Sequence, residues 1–444
     1  VNYRVPRIAE NPSIECHFIE TDDPTGPLGA KAGGEHSINP TIGAVANAIT
    51  DATGLYLKSL PMTPQKILTA LGERSSQKLA KKPWRRPFNA EIATVRALYP
   101  STVFPLAKKL GAKVSKGRKQ VERFDFKVAQ SVEHALDLLN PDKGRAMVVA
   151  GGTDVYVGTR QGIYAPERVV DINAIESLKT IDVSPKETRI GAGVTLSQIV
   201  EHDALRERHP SLVEGTSLIA TTQIRNVATL VGDLCQEKRY WFFRSAFPCY
   251  KFGGMSCPCY AVTGDNRHHS IKGARRCAAP CVADAAPILN ALDAAVLIEG
   301  PTGSRSVPLS AFYTWSGETV VGPGELVTAV TIPRPSAPVT EVFEKYAQWR
   351  GDFAEASVAI RLQWRGAEVS EARVAFGGVS PLPERCALVE QALVNGPISK
   401  DTVRCAAEQA VYGALPLRDN ENKVALLVNL TERAALRALG LHSF

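Results

Sequence analysis

A strand-like apolar run that passes directly into a glycine pair, RAMVVA followed by GGTDVYVG over residues 145–158, constrains this chain more than any other feature. Unbroken hydrophobicity is expected of a strand covered on both faces, which is the habit of a parallel sheet sandwiched by helices. The flanking sequence agrees. SVEHALDLLN reads as an amphipathic helix with Ser131 as its N-cap, RVVDI and ETRIGAG as strands, and LSQIVEH as a helix capped by Thr195. From about Phe124 the chain is therefore α/β. Gly151 and Gly152 let backbone N–H groups approach a pyrophosphate, and the Thr153 hydroxyl adds a donor. A tight turn without chemistry has the same appearance, so both readings stay open at this point.

A chain of 444 residues exceeds one hydrophobic core and implies two or three domains. Past Pro333 the texture changes. EVFEKYAQWRGDFAEASVAIRLQWRG and EARVAFGGV read as strands and a helix of a small α+β domain, closed by helices from Thr402 and from Asn422. The last helix carries Val424, Leu427, Val428, Ala435 and Ala438 at helical spacing. At the other end, residues 1–75 hold two helix candidates. They are TIGAVANAITDATG, stopped by Gly54, and LPMTPQKILTALGE, with Thr63 as N-cap, Pro64 in the first turn and Gly72 at the end. So few large apolar residues cannot bury a core alone, so this segment is expected to pack on a partner.

The net charge of +7 is local. Between Lys78 and Arg123 there are 13 Lys/Arg against Glu91 and Glu122, or +11, which leaves −4 for the rest. This stretch reads as a basic linker over 78–123, either solvated or docked on an acidic subunit; it lacks the interleaved aromatics of a nucleic-acid groove, and no nucleic acid is expected. No apolar run is long enough to span a bilayer, and the first residues carry no export signal, so the expectation is a cytoplasmic protein.

Six of the nine cysteines, Cys235, Cys249, Cys257, Cys259, Cys277 and Cys281, fall within 47 residues, while Cys16, Cys386 and Cys405 look like core thiols. Their spacing lacks the paired C-x2-C of a zinc ribbon, and disulfides are not expected in a reducing compartment. Soft thiolates on a loop broken by Gly and Pro fit an iron–sulfur cluster, with another metal or a metal-free loop as the alternatives.

TTQIRNVATLVGDLC at 221–235 resembles the IRN…GTIGGN segment of the FAD subunits of the molybdenum hydroxylase family, which includes xanthine dehydrogenase, carbon monoxide dehydrogenase and 4-hydroxybenzoyl-CoA reductase. AGGT at 150–153 then resembles that family's pyrophosphate loop, and DAAPILNALDAAVLI, YAQWRGDFAEASVAIRL and VAFGGVSPLPER continue the likeness to the chain's end. Two departures are Val231 for the first glycine of the second segment and Asp233 for its asparagine. The resemblance implies an FAD-binding fold of two subdomains, of the vanillyl-alcohol-oxidase type, over 124–335, and an α+β domain over 336–444. It also implies FAD contacts at Ala150, Gly151, Gly152, Thr153, Asp154, Thr221, Ile224, Asn226, Thr229, Gly232, Asp233 and Leu234. One branch of the family inserts a loop for a [4Fe-4S] cluster, which LCQEKRYWFFRSAFPCYKFGGMSC resembles, with Tyr240 where that branch has a cysteine. An insert at 235–281 follows, with Cys249, Cys257 and Cys277 as metal ligands. Cys235 is favoured over Cys259 or Cys281 as the fourth.

Residues 1–77 resemble the C-terminal end of the family's molybdopterin-binding large subunit, through FIETDDPTGPLGAKAGGE, AVANAITDATG and LPMTPQKIL. In that subunit the Glu of the GE pair sits beside the molybdenum, and Glu35 matches it. A carboxylate there is suited to take the proton from a hydroxyl attacking carbon. A surface Glu in a glycine-rich loop is the plainer alternative, and His36 next to it reads as structural. The resemblance implies three partners: a large subunit sharing its molybdopterin cofactor, a small subunit with [2Fe-2S] clusters, and a small-molecule substrate in a pocket lined by the large subunit. A self-sufficient flavin oxidase and a non-catalytic scaffold are the competing classes.

Overall fold

A computed structural model describes residues 41–53, 62, 66–68, 123–245, 247, 249–253, 259–395 and 399–441. The chain divides into two compact units, 1–80 and 81–444. In the first, Thr41–Thr53 forms the expected helix, whose last residue donates its hydroxyl to the Ile49 carbonyl at 2.6 Å. Residues 66–68 are helical. Gly54, Thr63, Pro64, Gly72 and Glu35 lie outside the described residues, as does 78–122 of the basic linker.

The second unit opens with a three-stranded parallel sheet in which Arg168–Asp171 runs between Asp125–Val128 and Ala146–Val149. Asp125–Val128 is exposed throughout, as an edge strand should be, and Val169 and Val170 at the centre are fully buried. Ser131 caps Val132–Leu139, accepting from the His134 N–H at 3.1 Å. Loss of such a cap costs about 1 kcal/mol.

A five-stranded antiparallel sheet follows, in the order Ile181–Val183, Glu187–Gly191, Leu326–Pro333, Ala295–Gly300 and Gly303–Pro308. Its central strand comes late in the sequence, and the cysteine-bearing insert lies in the chain between the two strands that flank it, Glu187–Gly191 and Ala295–Gly300. Thr195 closes a full capping box with Gln198 at the head of Leu196–Glu201. Ile190, Val296, Ile298 and Val330 of the sheet, Leu196 and Ile199 of that helix, and Ile288 and Leu289 of Ala285–Ala291 form one core with Ala135 of the helix Val132–Leu139 and Val170 of the first sheet.

The last domain is a four-stranded antiparallel sheet, ordered Val339–Tyr346, Ala356–Arg365, Glu368–Gly377 and Glu384–Arg385, with helices Ala387–Asn395, Lys400–Glu408 and Asn422–Ala438. Leu427, Leu430, Ala434 and Ala438 pack with Val358, Ile360, Leu362 and Val374 of the sheet in a second core. The helix expected among the strands is absent: 347–355 is a loop, and helices begin only at Ala387. Gly351 explains why. Its φ of +97° is unsuited to a helix, and a Cβ there would stand 2.5 Å from the Ala220 carbonyl oxygen. The two domains are tied by a buried ion pair, Lys345 Nζ to Asp284 Oδ2 at 2.6 Å. Removing one partner of such a pair typically costs about 3–5 kcal/mol.

Candidate functional site

Ala146–Val149 ends at a cavity of about 310 Å³, and the glycine turn forms its rim. Ala150, Gly151, Gly152, Thr153 and Asp154 all line it. Among the described residues, no hydrogen-bond partner is found for the backbone N–H groups of Gly151, Gly152 and Thr153. Adjacent half-buried donors left unpaired by the protein suit an oxygen-rich ligand such as a diphosphate. Opposite stand Ala228, Thr229, Val231 and Gly232, and the floor is apolar, with Val148, Ile172, Ala192, Val321 and Leu326. One end thus offers backbone donors and the other a hydrophobic slot, the usual make-up of a site for a large cofactor.

The two walls approach very closely. A Cβ on Gly151 would lie 1.9 Å from the Val227 carbonyl oxygen, and Gly152 has φ +69° with its hydrogen against the Tyr156 ring. Both glycines are required by the protein's own packing as well as by any ligand. Thr229 Oγ1 accepts from the Gly232 N–H at 3.0 Å, capping the short helix Leu230–Leu234 and so presenting Gly232 to the cavity.

The remaining expected contacts are placed elsewhere. Thr221 caps Thr222–Arg225, Ile224 is exposed, and Asn226 meets Ser197 at 2.6 Å; none lines the cavity. Leu234 belongs to the core, and Asp233 turns inward. Its Oδ2 accepts from the Ala285 N–H at 3.0 Å and its Oδ1 from Gln236 at 2.7 Å. Burial, with Asp284 nearby, raises the Asp233 carboxyl to about 7. The departure from asparagine at this position is thereby absorbed by a helix terminus rather than by a ligand.

Asp154 is occupied as well. Its carboxylate accepts from Tyr164 Oη and the Glu237 N–H at 3.0 Å each, from Arg244 Nη2 at 2.5 Å, and pairs with Arg239 at 3.2 Å. It lines the cavity while binding the glycine turn to the first residues of the cysteine-bearing insert. Nothing in the sequence pointed to Arg239, Arg244 or Tyr164, since they meet Asp154 only in the fold.

The insert surrounds a second, smaller cavity. Cys249, Cys259 and Cys277 line it together with Lys238, Tyr240, Phe242 and His269. Cys249 and Cys277 are buried, and Cys259 is partly so. Burial pushes the Cys277 thiol up to about 11, against the opposing pull of Lys238. His269 is 6% exposed with its Nδ1 unpaired, and burial lowers it to about 3, so the ring is neutral. Among the described residues no three His, Cys, Asp or Glu groups lie close enough to hold a single metal ion. Cys235 lines the first cavity and Cys281 sits in the main core; Cys257 lies outside the described residues. The insert is held from the other domain by Asn420 Nδ2 and Lys423 Nζ, which donate to the His269 carbonyl at 2.9 and 3.2 Å. No described helix is long and apolar enough to cross a membrane.

Residues 122–335 match the FAD binding domain in molybdopterin dehydrogenase, and 341–439 match the CO dehydrogenase flavoprotein C-terminal domain. The aldehyde oxidoreductase FAD-binding subunit PaoB of Escherichia coli K12 is 32% identical over 63% of this chain and 87% of its own length. The xanthine dehydrogenase FAD-binding subunit of Escherichia coli O157:H7 is 28% identical over 71% and 97% respectively. Among solved structures, carbon monoxide dehydrogenase from Hydrogenophaga pseudoflava superposes with a TM-score of 0.59 at 25% identity, covering 72% of this chain and 98% of that one.

Proposed function

The chain belongs to the FAD-binding subunits of the molybdopterin dehydrogenases, and on that premise we propose that it carries electrons between a molybdenum centre on a partner subunit and an external acceptor. The observation that bears most weight is the run of unpaired backbone donors on the rim of an apolar cavity of about 310 Å³. FAD supplies the one-electron and two-electron chemistry when bound there. Gly151, Gly152 and Thr153 hold its diphosphate, Thr229 and Gly232 close the opposite wall, and Val148, Ile172 and Leu326 exclude water from its apolar portion. Asp154, which also lines the cavity, would position the turn through its ties to Tyr164, Arg239 and Arg244.

The flavin content of the purified complex tests this. Gly151→Ala forces a methyl group against the Val227 carbonyl oxygen, now 1.9 Å from the Cβ position, so the two walls must part. Flavin occupancy is expected to fall at least about tenfold, equivalent to a binding loss of about 1.4 kcal/mol. Full occupancy in that variant would remove FAD from this cavity. A wild-type complex lacking flavin absorption would leave only a scaffold.

The second cavity suits an iron–sulfur cluster in donor type only, since soft thiols are among the residues that line it. Cys249, Cys257 and Cys277 are proposed ligands, Cys257 from the sequence resemblance alone. The complex should then hold about four iron atoms beyond those of a [2Fe-2S] subunit, and Cys249→Ser or Cys277→Ser should remove them, because a serine oxygen is a hard donor. An unchanged iron count in both variants would discard the site.

Glu35 is proposed as the base of the molybdenum site, accepting at its carboxylate the proton released as substrate is oxidised. This rests on the resemblance of residues 1–77 to the end of a large subunit. Such a segment completes a pocket lined mainly by a molybdopterin-binding partner, with a [2Fe-2S] subunit relaying electrons.

A further inference from the structure

The charges around the glycine-rimmed cavity do not match those of its expected occupant. Among the described residues that line it, the charged ones are Asp154 and Glu325, both acidic. The diphosphate of FAD adds two negative charges, so any side-chain cation for that group has to act from behind the lining. Glu325 is matched by one cation, Arg305, at 2.6 Å. Asp154 is matched by two from the cysteine-bearing insert, Arg244 at 2.5 Å and Arg239 at 3.2 Å. A surplus of positive charge therefore stands directly behind the glycine turn. Glu237 does not cancel it, since Lys238 and Lys251 lie 3.6 and 3.8 Å from its carboxylate. Asp233 is turned towards the helix that starts at Ala285.

We propose that Arg239 is a positioning residue for the cofactor's diphosphate, one that selects flavins carrying a diphosphate over flavins without it. The inference deepens the FAD reading of this cavity and rests on it. Besides pairing with Asp154, Arg239 Nη2 donates to the Thr153 carbonyl at 3.4 Å. In a planar trans peptide the C=O and the following N–H point in opposite directions, so holding the Thr153 carbonyl turns the Asp154 N–H away from the insert. That N–H has no partner among the described residues and extends the run of free donors at Gly151, Gly152 and Thr153. The guanidinium also lies over the Phe353 ring, 5.7 Å from its centroid, and its buried Nε is unsatisfied by the protein. A planar fork held on its face by an aromatic ring and on its edge by a carbonyl and a carboxylate is geometry that a lysine ammonium does not reproduce. Arg239 thus acts on the diphosphate through the Thr153–Asp154 peptide and through its charge, without lining the cavity.

The test uses the intact complex, freed of flavin and titrated with FAD or with riboflavin, which shares the ring system and lacks the diphosphate. Arg239→Gln should weaken FAD binding at least about tenfold and leave riboflavin within about twofold. Arg239→Lys, which keeps the charge without the fork, should recover part of the loss. Asp154 keeps Arg244 in both variants, so its carboxylate is not left bare. Raising salt from about 0.05 to about 0.5 M should weaken FAD binding more in wild type than in Arg239→Gln, and should leave riboflavin binding unmoved in both. Equal losses for FAD and riboflavin would mean that Arg239 only holds the fold, and they overturn the assignment. So does full FAD affinity in Arg239→Gln. Should that variant fail to assemble, the wild type decides: FAD binding that weakens with salt while riboflavin does not supports the role, and FAD binding indifferent to salt removes it. If the wild type binds neither flavin, the FAD reading itself falls; a wild type that takes FAD and riboflavin equally well sinks this inference alone.

Discussion

Glu35→Gln in the assembled complex should lower turnover by at least about a hundredfold while flavin, iron and molybdenum contents stay near wild type. Gln keeps the volume and hydrogen-bonding reach of Glu but cannot accept a proton at neutral pH. A general base typically contributes about two to four orders of magnitude to rate, and that contribution alone is removed. Binding contacts that do not need the charge survive, so the loss belongs in kcat more than in KM. Deleting residues 1–75 should act differently, costing assembly or cofactor retention too, because a packing surface on the partner is then exposed. Steady-state rates alongside cofactor analysis separate the two. Wild-type turnover in Glu35→Gln would make the segment structural and send the search for the base to the partner.

Asp154→Ala should be strongly destabilising. It strips a carboxylate from Arg244, whose side chain is 8% exposed, and from Arg239, at 23%. Arg244 keeps the Lys238 carbonyl at 2.8 Å for its Nε, but its Nη2 loses the contact at 2.5 Å. A buried cation left without its partner costs about 3–5 kcal/mol. For a domain of this size that should lower the melting temperature by roughly 10 °C. Tyr164→Phe removes one hydrogen bond to the same carboxylate and leaves both arginines paired, so it should cost less, about 1.5–3 kcal/mol. Calorimetry of both variants checks the ranking. An Asp154→Ala protein that melts with the wild type would show that water replaces the carboxylate at Arg244.

The strand and its glycine turn were legible because hydrophobic continuity and the GG pair are local signals. So were the Ser131 cap, the Thr195 cap and the last helix, found at Asn422–Ala438. The necessity of Gly151 was legible only in part. The sequence suggests close approach to a ligand, whereas its hydrogen also faces the Val227 carbonyl, 76 positions away in the chain. Thr229 and Gly232 reach the cavity and Asp233 does not, since a helix starting at Ala285 claims its carboxylate. That claim spans 52 residues, and no local pattern carries it. The helix expected without bounds among the strands past Pro333 is not found within 341–379, and propensity says nothing of the Ala220 carbonyl against which Gly351 must fit. Spacing also cannot tell that Cys235 lines one cavity and Cys249, Cys259 and Cys277 another; that depends on where the chain turns at 235–240.

That turn leaves very little protein between the two sites. Gln236 lines the first cavity and Lys238 the second, and two residues of extended chain span at most about 7 Å. The partition between the cavities is, along this segment, a single dipeptide thick. The same thinness makes the partition a shared wall. Enlarging one compartment to admit its occupant shifts the boundary of the other, so filling the second cavity should register in the environment of the first.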